Sequence, residues 1–298
     1  MEKYPQKIDK LNIILTSFWT AQAISLFGDR LNNFSLVALI SRFANDPSIT
    51  LSELYLAMFL PLFILAPVIG VVVDHLEKKW ILIVTDFLRA LLVALIPFVY
   101  NQGGSFLGIF ILVFLLSTGN LFFLPAKSAI VPELVSRDKL VKVNSFLWIA
   151  GTVGIIAGFL GGGVIFDKLS WKYCFYIDAL TYFISSMLLI TLLMHKSAKR
   201  ISTPDLKGMG KNTLALIAEG IKELKGSIEL KKPMFTQVLI FFGAGGFSVL
   251  AVPIIKSASS DGSSMGLSYA GIAVGAGMGV GSYIANRIKN FRSIWLFE

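Results

Sequence analysis

The stretch Glu53–Tyr100 reads ELYLAMFLPLFILAPVIGVVVDHLEKKWILIVTDFLRALLVALIPFVY. Two apolar runs, 53–73 and 80–100, are split by Asp74-His75-Leu76-Glu77-Lys78-Lys79. A hydrocarbon core about 30 Å thick needs roughly 20 mostly apolar helical residues to cross it, and each run is that long. The runs are continuously apolar rather than alternating every second residue, which argues against barrel strands. A helix satisfies its own backbone hydrogen bonds, which lipid cannot do for it. The stretch therefore reads as a transmembrane helical hairpin with a short charged turn.

Working outward, the same kind of run recurs at about 12–41, 105–126, 143–166, 173–194, 234–255 and 266–286, which makes eight predicted spans. Composition agrees, with 55% hydrophobic and 15% charged residues among 298 and a mean hydropathy of +0.74. A soluble chain is roughly one-quarter charged. The expected fold is an all-α polytopic membrane protein.

Charge placement sets the orientation. Connections on one side carry 21 Lys and Arg residues, among them Lys3, Lys78, Lys79, Lys127 and nine between Lys196 and Lys232. The other side carries four, Arg42, Lys168, Lys172 and Lys256, while Arg30 and Arg89 lie within spans. Cytoplasmic loops attract Lys and Arg, so both termini are expected in the cytoplasm. The net charge of +9 is then a topology signal distributed loop by loop, and nucleic acid is not an expected partner. Ala21-Gln22-Ala23 resembles a cleavage site, but the apolar run continues beyond it. One cysteine, Cys174, and two histidines, His75 and His195, leave little for a multi-cysteine metal site or a catalytic constellation.

Five ionisable residues fall inside predicted spans: Asp29, Arg30, Asp86, Arg89 and Asp178. Each costs about 2.5–3.5 kcal/mol at a helix centre by insertion scales, and such groups face a protein interior or a wet cavity. Asp86 and Arg89 are three apart and share a face. They read either as a structural pair or as part of a gating network. Asp29 and Arg30 point about 100° apart, so they serve different neighbours; Asp29 either faces a central cavity or bonds to an adjacent helix. Asp178 reads as structural. Gly151, Gly154, Gly158 and Gly161 to Gly163 put small residues at close helical spacing on the fifth span, for close packing or for sliding. Gly271, Gly275, Gly277, Gly279 and Gly281 repeat the pattern on the eighth.

The turn in the opening stretch, Gly70-Val-Val-Val-Asp74-His75-Leu76-Glu77-Lys78-Lys79, resembles the signature loop of the major facilitator superfamily. Gly70, Asp74, Lys78 and Lys79 match, while His75 stands where Arg is usual and Glu77 replaces a Gly. Leu124-Pro125-Ala126-Lys127 through Val135, with Asn144-Ser145, resembles the linker between spans four and five in the macrolide and siderophore exporter branch. Gly28-Asp29 and Asp86 look similar too.

The resemblance implies two six-helix halves that rock about a midplane site, here a complete first half, residues 1–194. A cytoplasmic linker with an amphipathic segment would follow over 195–233, and two helices of the second half over 234–298. It implies export of a small amphipathic compound, drug-, macrolide- or siderophore-like, from a monomer in the bacterial cytoplasmic membrane. Energy would come from an ion gradient with no cofactor, and the protein would not be an enzyme. Gly70, Asp74, Lys78, Lys79, Asp86 and Arg89 are the expected gating set. Asp29, Asn32, Asn33 and Asn120 are expected to face substrate or protons, with Phe241, Phe242 and Phe247 as an apolar wall; Gly151, Gly154, Gly158 and Gly162 pack helices. Two departures weaken proton antiport: Leu116 occupies the place of a fourth-span Arg, and the fifth span lacks proline. Gly281 echoes Gly70 and Lys289 echoes Lys78 at an offset of 211 residues, so a full transporter of roughly 420 residues is expected, of which this chain is a C-terminally truncated part. A non-transporting scaffold or an inactive fragment is the competing expectation.

Overall fold

The computed structural model describes residues 5–103, 105–135, 140–194, 222, 226–258 and 264–287. Eight long helices account for nearly all of them: α1 (Pro5–Phe43), α2 (Pro47–His75), α3 (Lys78–Gly103), α4 (Phe106–Leu134), α5 (Leu140–Lys168), α6 (Trp171–Leu189), α7 (Ile228–Ala258) and α8 (Met265–Arg287). A 3₁₀ turn, Ile190–Met194, continues α6. Six segments within α2 to α7 are long and apolar enough to cross a membrane, and α8 holds a shorter apolar stretch, Met265–Gly281. Helix α1 is the least apolar of the first six because it carries the polar residues of the site described below.

Short polar breaks start the helices. Asp46 accepts from the backbone N–H groups of Ser48 and Ile49 at 3.0 and 3.1 Å, with Pro47 in the first helical position. Ser105 does the same for Leu107 of α4 and Ser170 for Lys172 of α6. These caps satisfy N–H groups that an opening helix turn leaves without partners. Because the connections are so short, consecutive helices reverse direction, and the C-terminal ends of α1, α3 and α5 gather with the N-terminal ends of α2, α4 and α6. There Tyr100 of α3 meets Phe43, Phe106 and Trp171 with ring centroids 6.1, 5.5 and 5.3 Å apart. Aromatic rings favour this depth, where membrane meets water.

Helix α1 packs on α5 and α6, α4 packs on α2 and α3, and α3 packs on α6. Exchanging α1 with α4, α2 with α5 and α3 with α6 maps these principal neighbours onto themselves, so the six helices are two triplets with one packing rule. Helix α8 lies along α5.

The interior has three layers. Ile14, Phe18, Leu82, Phe123, Ile130 and Leu189 belong to one apolar cluster. Leu31, Phe34, Val93, Ile96, Ile109 and Phe175 belong to a second. Between them along α1, α3 and α6 lie Gln22, Ser25, Asp86, Arg89, Asp178, Ser185 and Ser186, all buried. Outside, Phe63, Phe98, Leu107 and Ile111 are more than half exposed, as expected of a surface solvated by lipid rather than water.

One sequence expectation shifts. The fourth helix runs past 126 to Leu134, so Lys127 belongs to the helix and not to a loop. The expected linker lies for the most part outside the described residues, as does Lys289.

Candidate functional site

On α1, Gln22, Ser25, Asp29 and Asn32 recur at three- and four-residue steps and so form one stripe. Asp178, Thr181, Tyr182 and Ser185 form the matching stripe on α6, and Asp86 and Arg89 share a face of α3. Two glycines let these stripes meet. A methyl group on Gly28 would collide with Thr181 Oγ1 and Asp178 Oδ1, so the bare backbone is what admits α6 so close to α1. On α4, a methyl on Gly119 would lie 3.3 Å from Arg89 Nε, so Gly119 leaves room for the guanidinium.

Arg89 Nη1 donates to Asp86 Oδ1 at 3.1 Å, and the two side chains are 4% and 0% exposed. Ser185 Oγ donates to Asp86 Oδ2 at 2.6 Å, so both oxygens of that buried carboxylate are engaged. Tyr182 Oη donates to Asp29 Oδ1, and the Arg89 guanidinium stands 5.5 Å from the Tyr182 ring and 4.5 Å from the Phe123 ring. A cation over an aromatic face gains more where water is excluded. Tyr182 thus links Asp29 to Arg89 through its two chemically different parts. Thr181 Oγ1 donates to the Asp178 backbone carbonyl at 2.7 Å. Lys127 Nζ donates to Gln22 Oε1 at 3.1 Å, toward the first apolar cluster. Gln22 Nε2, Asn32 Oδ1, Asp178 Oδ2 and Arg89 Nε and Nη2 are buried with no partner among the described residues. The arrangement holds charged and hydroxyl groups together at mid-depth of an apolar bundle.

Asp29, Asp86 and Arg89 therefore come together. Asn32 continues the same stripe, Asn33 is half-buried beside it, and Asn120 is exposed on α4. Arg30 turns away from Asp29 toward α5, where a methyl on Gly158 would lie 2.6 Å from Arg30 Cβ. A methyl on Gly154 would lie 3.6 Å from the Leu26 carbonyl, and Gly162 abuts the Phe34 ring; Gly151 has open space. Phe242 and Phe247 are 82% and 67% exposed, and the Phe241 side chain lies outside the described residues.

The signature-loop residues gather at the opposite end of α3 from Tyr100. Lys78 Nζ donates to the carbonyls of Val73, Asp74 and Leu76 at 2.6, 2.8 and 3.0 Å. It caps α2, favourably placed against the negative end of that helix dipole. Lys79 is buried with its ammonium 4.0 Å from Glu77, Asp74 is exposed, and Gly70 has open space around it. Sequence reading missed Tyr182, Ser185, Thr181 and Gln22. The signal was available in the α6 stripe at 178, 182 and 185, but a tyrosine or serine in a span does not announce itself as a charge does. Lys127, read as a loop residue, is a half-buried part of the cluster's surroundings.

A helical bundle with an apolar skin and a hydrogen-bonded charge cluster at mid-depth is the build of a multi-pass membrane transporter. The sequence family described as Major Facilitator Superfamily matches residues 18–297, and the chain belongs to that family. It is 27% identical over 245 residues to the MFS-type transporter YfiS of Bacillus subtilis, covering 82% of this chain and 57% of that protein. It is 23% identical over 294 residues to macrolide efflux protein A of Streptococcus pyogenes, covering 98% of this chain and 70% of that one. It is 32% identical over 147 residues to the lysophospholipid transporter LplT of Serratia proteamaculans, covering 49% and 35%. The chain thus spans from 35% to 70% of the length of these relatives. No solved structure matches.

Proposed function

We propose that this chain is the larger part of a secondary active transporter that exports a small amphipathic compound by alternating access. In this reading residues 1–194 form one half, 195–233 a cytoplasmic linker, and 234–298 the beginning of the second half. The protein lies in the bacterial cytoplasmic membrane with its N-terminus inside, as the loop charges favour. Asp29 carries the coupling proton. Its described side-chain partner is the neutral Tyr182 hydroxyl, while Asp86 is fully engaged by Arg89 and Ser185. The observation that carries the reading is the cluster itself. Several buried ionisable groups each cost kilocalories in a membrane, a structural role needs only the Asp86–Arg89 pair, and Asp29 and Asp178 are extra.

The macrolide efflux relative, which aligns along nearly the whole chain, supports an amphipathic drug or macrolide as substrate. The lysophospholipid transporter, which aligns along half of it, supports a single-chain lipid as the second reading; both compounds are amphipathic. Cells carrying the full-length gene are expected to accumulate less of a macrolide or fluorescent dye than cells carrying Asp29→Asn at equal membrane levels. Equal accumulation in the two would remove Asp29 from the coupling role. If the macrolide, the dye and a fluorescent lysophospholipid all accumulate as in vector controls, the scaffold reading takes its place.

A further inference from the structure

Arg30 lies deep in α1, which continues 13 residues beyond it to Phe43, about 20 Å of helix. Arginines near a helix end reach the membrane surface by snorkelling, and this one is too far in. The guanidiniums of Arg89 and Arg42 have answering carboxylates, Asp86 at 3.1 Å and Asp167 at 3.3 Å. Arg30 is half-buried and makes no hydrogen bond or ion pair among the described residues, and its buried Nε is unpartnered.

No nearby carboxylate is placed to serve it. Asp29 is adjacent, points about 100° away and accepts from Tyr182. Asp178 Oδ1 abuts Gly28, two residues and so about 200° around α1 from Arg30. Asn33 follows Arg30 by three residues and shares its face. It too is half-buried, with no hydrogen bond among the described residues.

The opposing edge of α5 is bare. Gly158 meets Arg30 Cβ and Gly162 meets the Phe34 ring, so Gly161 stands level with Asn33, and a methyl there would find nothing within 4 Å. Helix α8 lies along α5, and α7 and α8 both touch α1. Arg30 and Asn33 are therefore on the side of α1 to which the later helices come.

We propose that Arg30 and Asn33 hold the anionic end of the exported compound, a carboxylate or a phosphate. A guanidinium offers either group two parallel N–H donors, and the Asn33 amide adds another. The proposal rests on the export reading above and specifies the polar end of its substrate. Binding and accumulation are measured separately, so that either can fail alone.

The test uses the full-length protein in detergent and four fluorescent lipids with one acyl chain in common: a fatty acid, a phosphate monoester, an uncharged glycerol ester and an amine. Wild type is expected to bind the carboxylate and the phosphate about tenfold tighter than the ester, the order of one charge-assisted hydrogen bond. The amine binds no tighter than the ester. Arg30→Gln loses the preference for anions and binds the ester as before, and Asn33→Ala reduces the preference about threefold. Arg30→Lys, which keeps the charge without the planar fork, retains part of it and serves where Arg30→Gln fails to accumulate in the membrane. Unequal binding of carboxylate and phosphate, both ahead of the ester, supports the site and names the headgroup. A wild-type protein without preference for the anions overturns the proposal, as does an Arg30→Gln protein that keeps it. So does an Arg30→Gln protein that is less stable and binds all four compounds equally less, as expected of an arginine paired to an acid of the protein itself. If the preference depends on Arg30 while cells carrying the full-length gene accumulate every compound as vector controls do, the anion site stands and the export reading falls.

Discussion

Helix α1 meets α6 through carboxylate, hydroxyl and phenol groups, whereas α5 meets α8 through glycines and aliphatic edges. Both contacts are close, and both need missing side chains: Gly28 admits α6 to α1, and Gly163, Gly271 and Gly275 admit α8 to α5. The difference lies in what a displacement would break. Sliding α6 along α1 would part Tyr182 from Asp29 and strand polar groups in an apolar interior, a cost of kilocalories. Sliding α8 along α5 would shift Phe159 and Ile156 against Gly271 and Gly275 and part the Ser264 N–H from Asp167 at one end. The first contact fixes a constellation, and the second rests chiefly on close approach of small residues.

The sharpest way to break the contrast is to remove one member of the fixed side. Asp86→Leu leaves Arg89 buried without its counter-charge, and breaking such a pair costs about 3–5 kcal/mol. The variant is expected to lose most folded protein from the membrane, measured by thermal unfolding in detergent. Asp86→Leu combined with Arg89→Met removes both charges and recovers most of that stability. If the double variant is as unstable as the single, the cluster's cost lies in lost packing and not in stranded charge.

A second, smaller effect tests the small-residue contacts. Gly158→Ala places a methyl 2.6 Å from Arg30 Cβ and 3.1 Å from the Leu31 backbone nitrogen. A backbone atom cannot swing aside, so α1 and α5 must separate, at about 2 kcal/mol for overpacking. Gly161→Ala, one turn away with nothing within 4 Å, is expected to be neutral or slightly stabilising in the same assay. Equal behaviour of the two would mean that α5 presents a different face to α1.

Below that lies Tyr182→Phe, which keeps the ring beneath Arg89 and removes only the hydroxyl. The expected loss is about 1.5 kcal/mol for a buried hydrogen bond to a carboxyl group. Asp29 then loses its partner, so export in the full-length protein should change its pH dependence, while the Ser185→Ala variant should alter stability alone.

The helical membrane fold was legible in the sequence because lipid imposes one rule on every span, and the opening hairpin already obeys it. The charged half of the cluster was legible for the same reason, since Asp29, Asp86 and Arg89 violate that rule in plain view. Tyr182 and Ser185 were not, because a hydroxyl in a span is inexpensive and its partner depends on which helices meet, a long-range fact. The α1–α6 pairing joins residues some 150 positions apart, Asp29 and Tyr182, and nothing local encodes it. Lys127 was assigned to a loop because hydropathy fell at Pro125. Proline and lysine cost less within a helix packed by α2 and α3, with Lys127 bonded to Gln22 of α1, than they would in lipid, so α4 continues.

The weakest effect on stability carries the most information about gating. Asp74 is exposed and takes part in no ion pair among the described residues, while its neighbour Lys78 caps α2 through carbonyls. Asp74→Asn is therefore expected to leave thermal stability unchanged. A side chain that stabilises nothing in this conformation, yet matches the signature loop, is expected to find its partner in another one. Export by the full-length Asp74→Asn protein should then fall severalfold with the fold intact, whereas Lys78→Met, which uncaps α2 here, should lower both. Were Asp74→Asn to export normally, the loop would be no more than a helix cap.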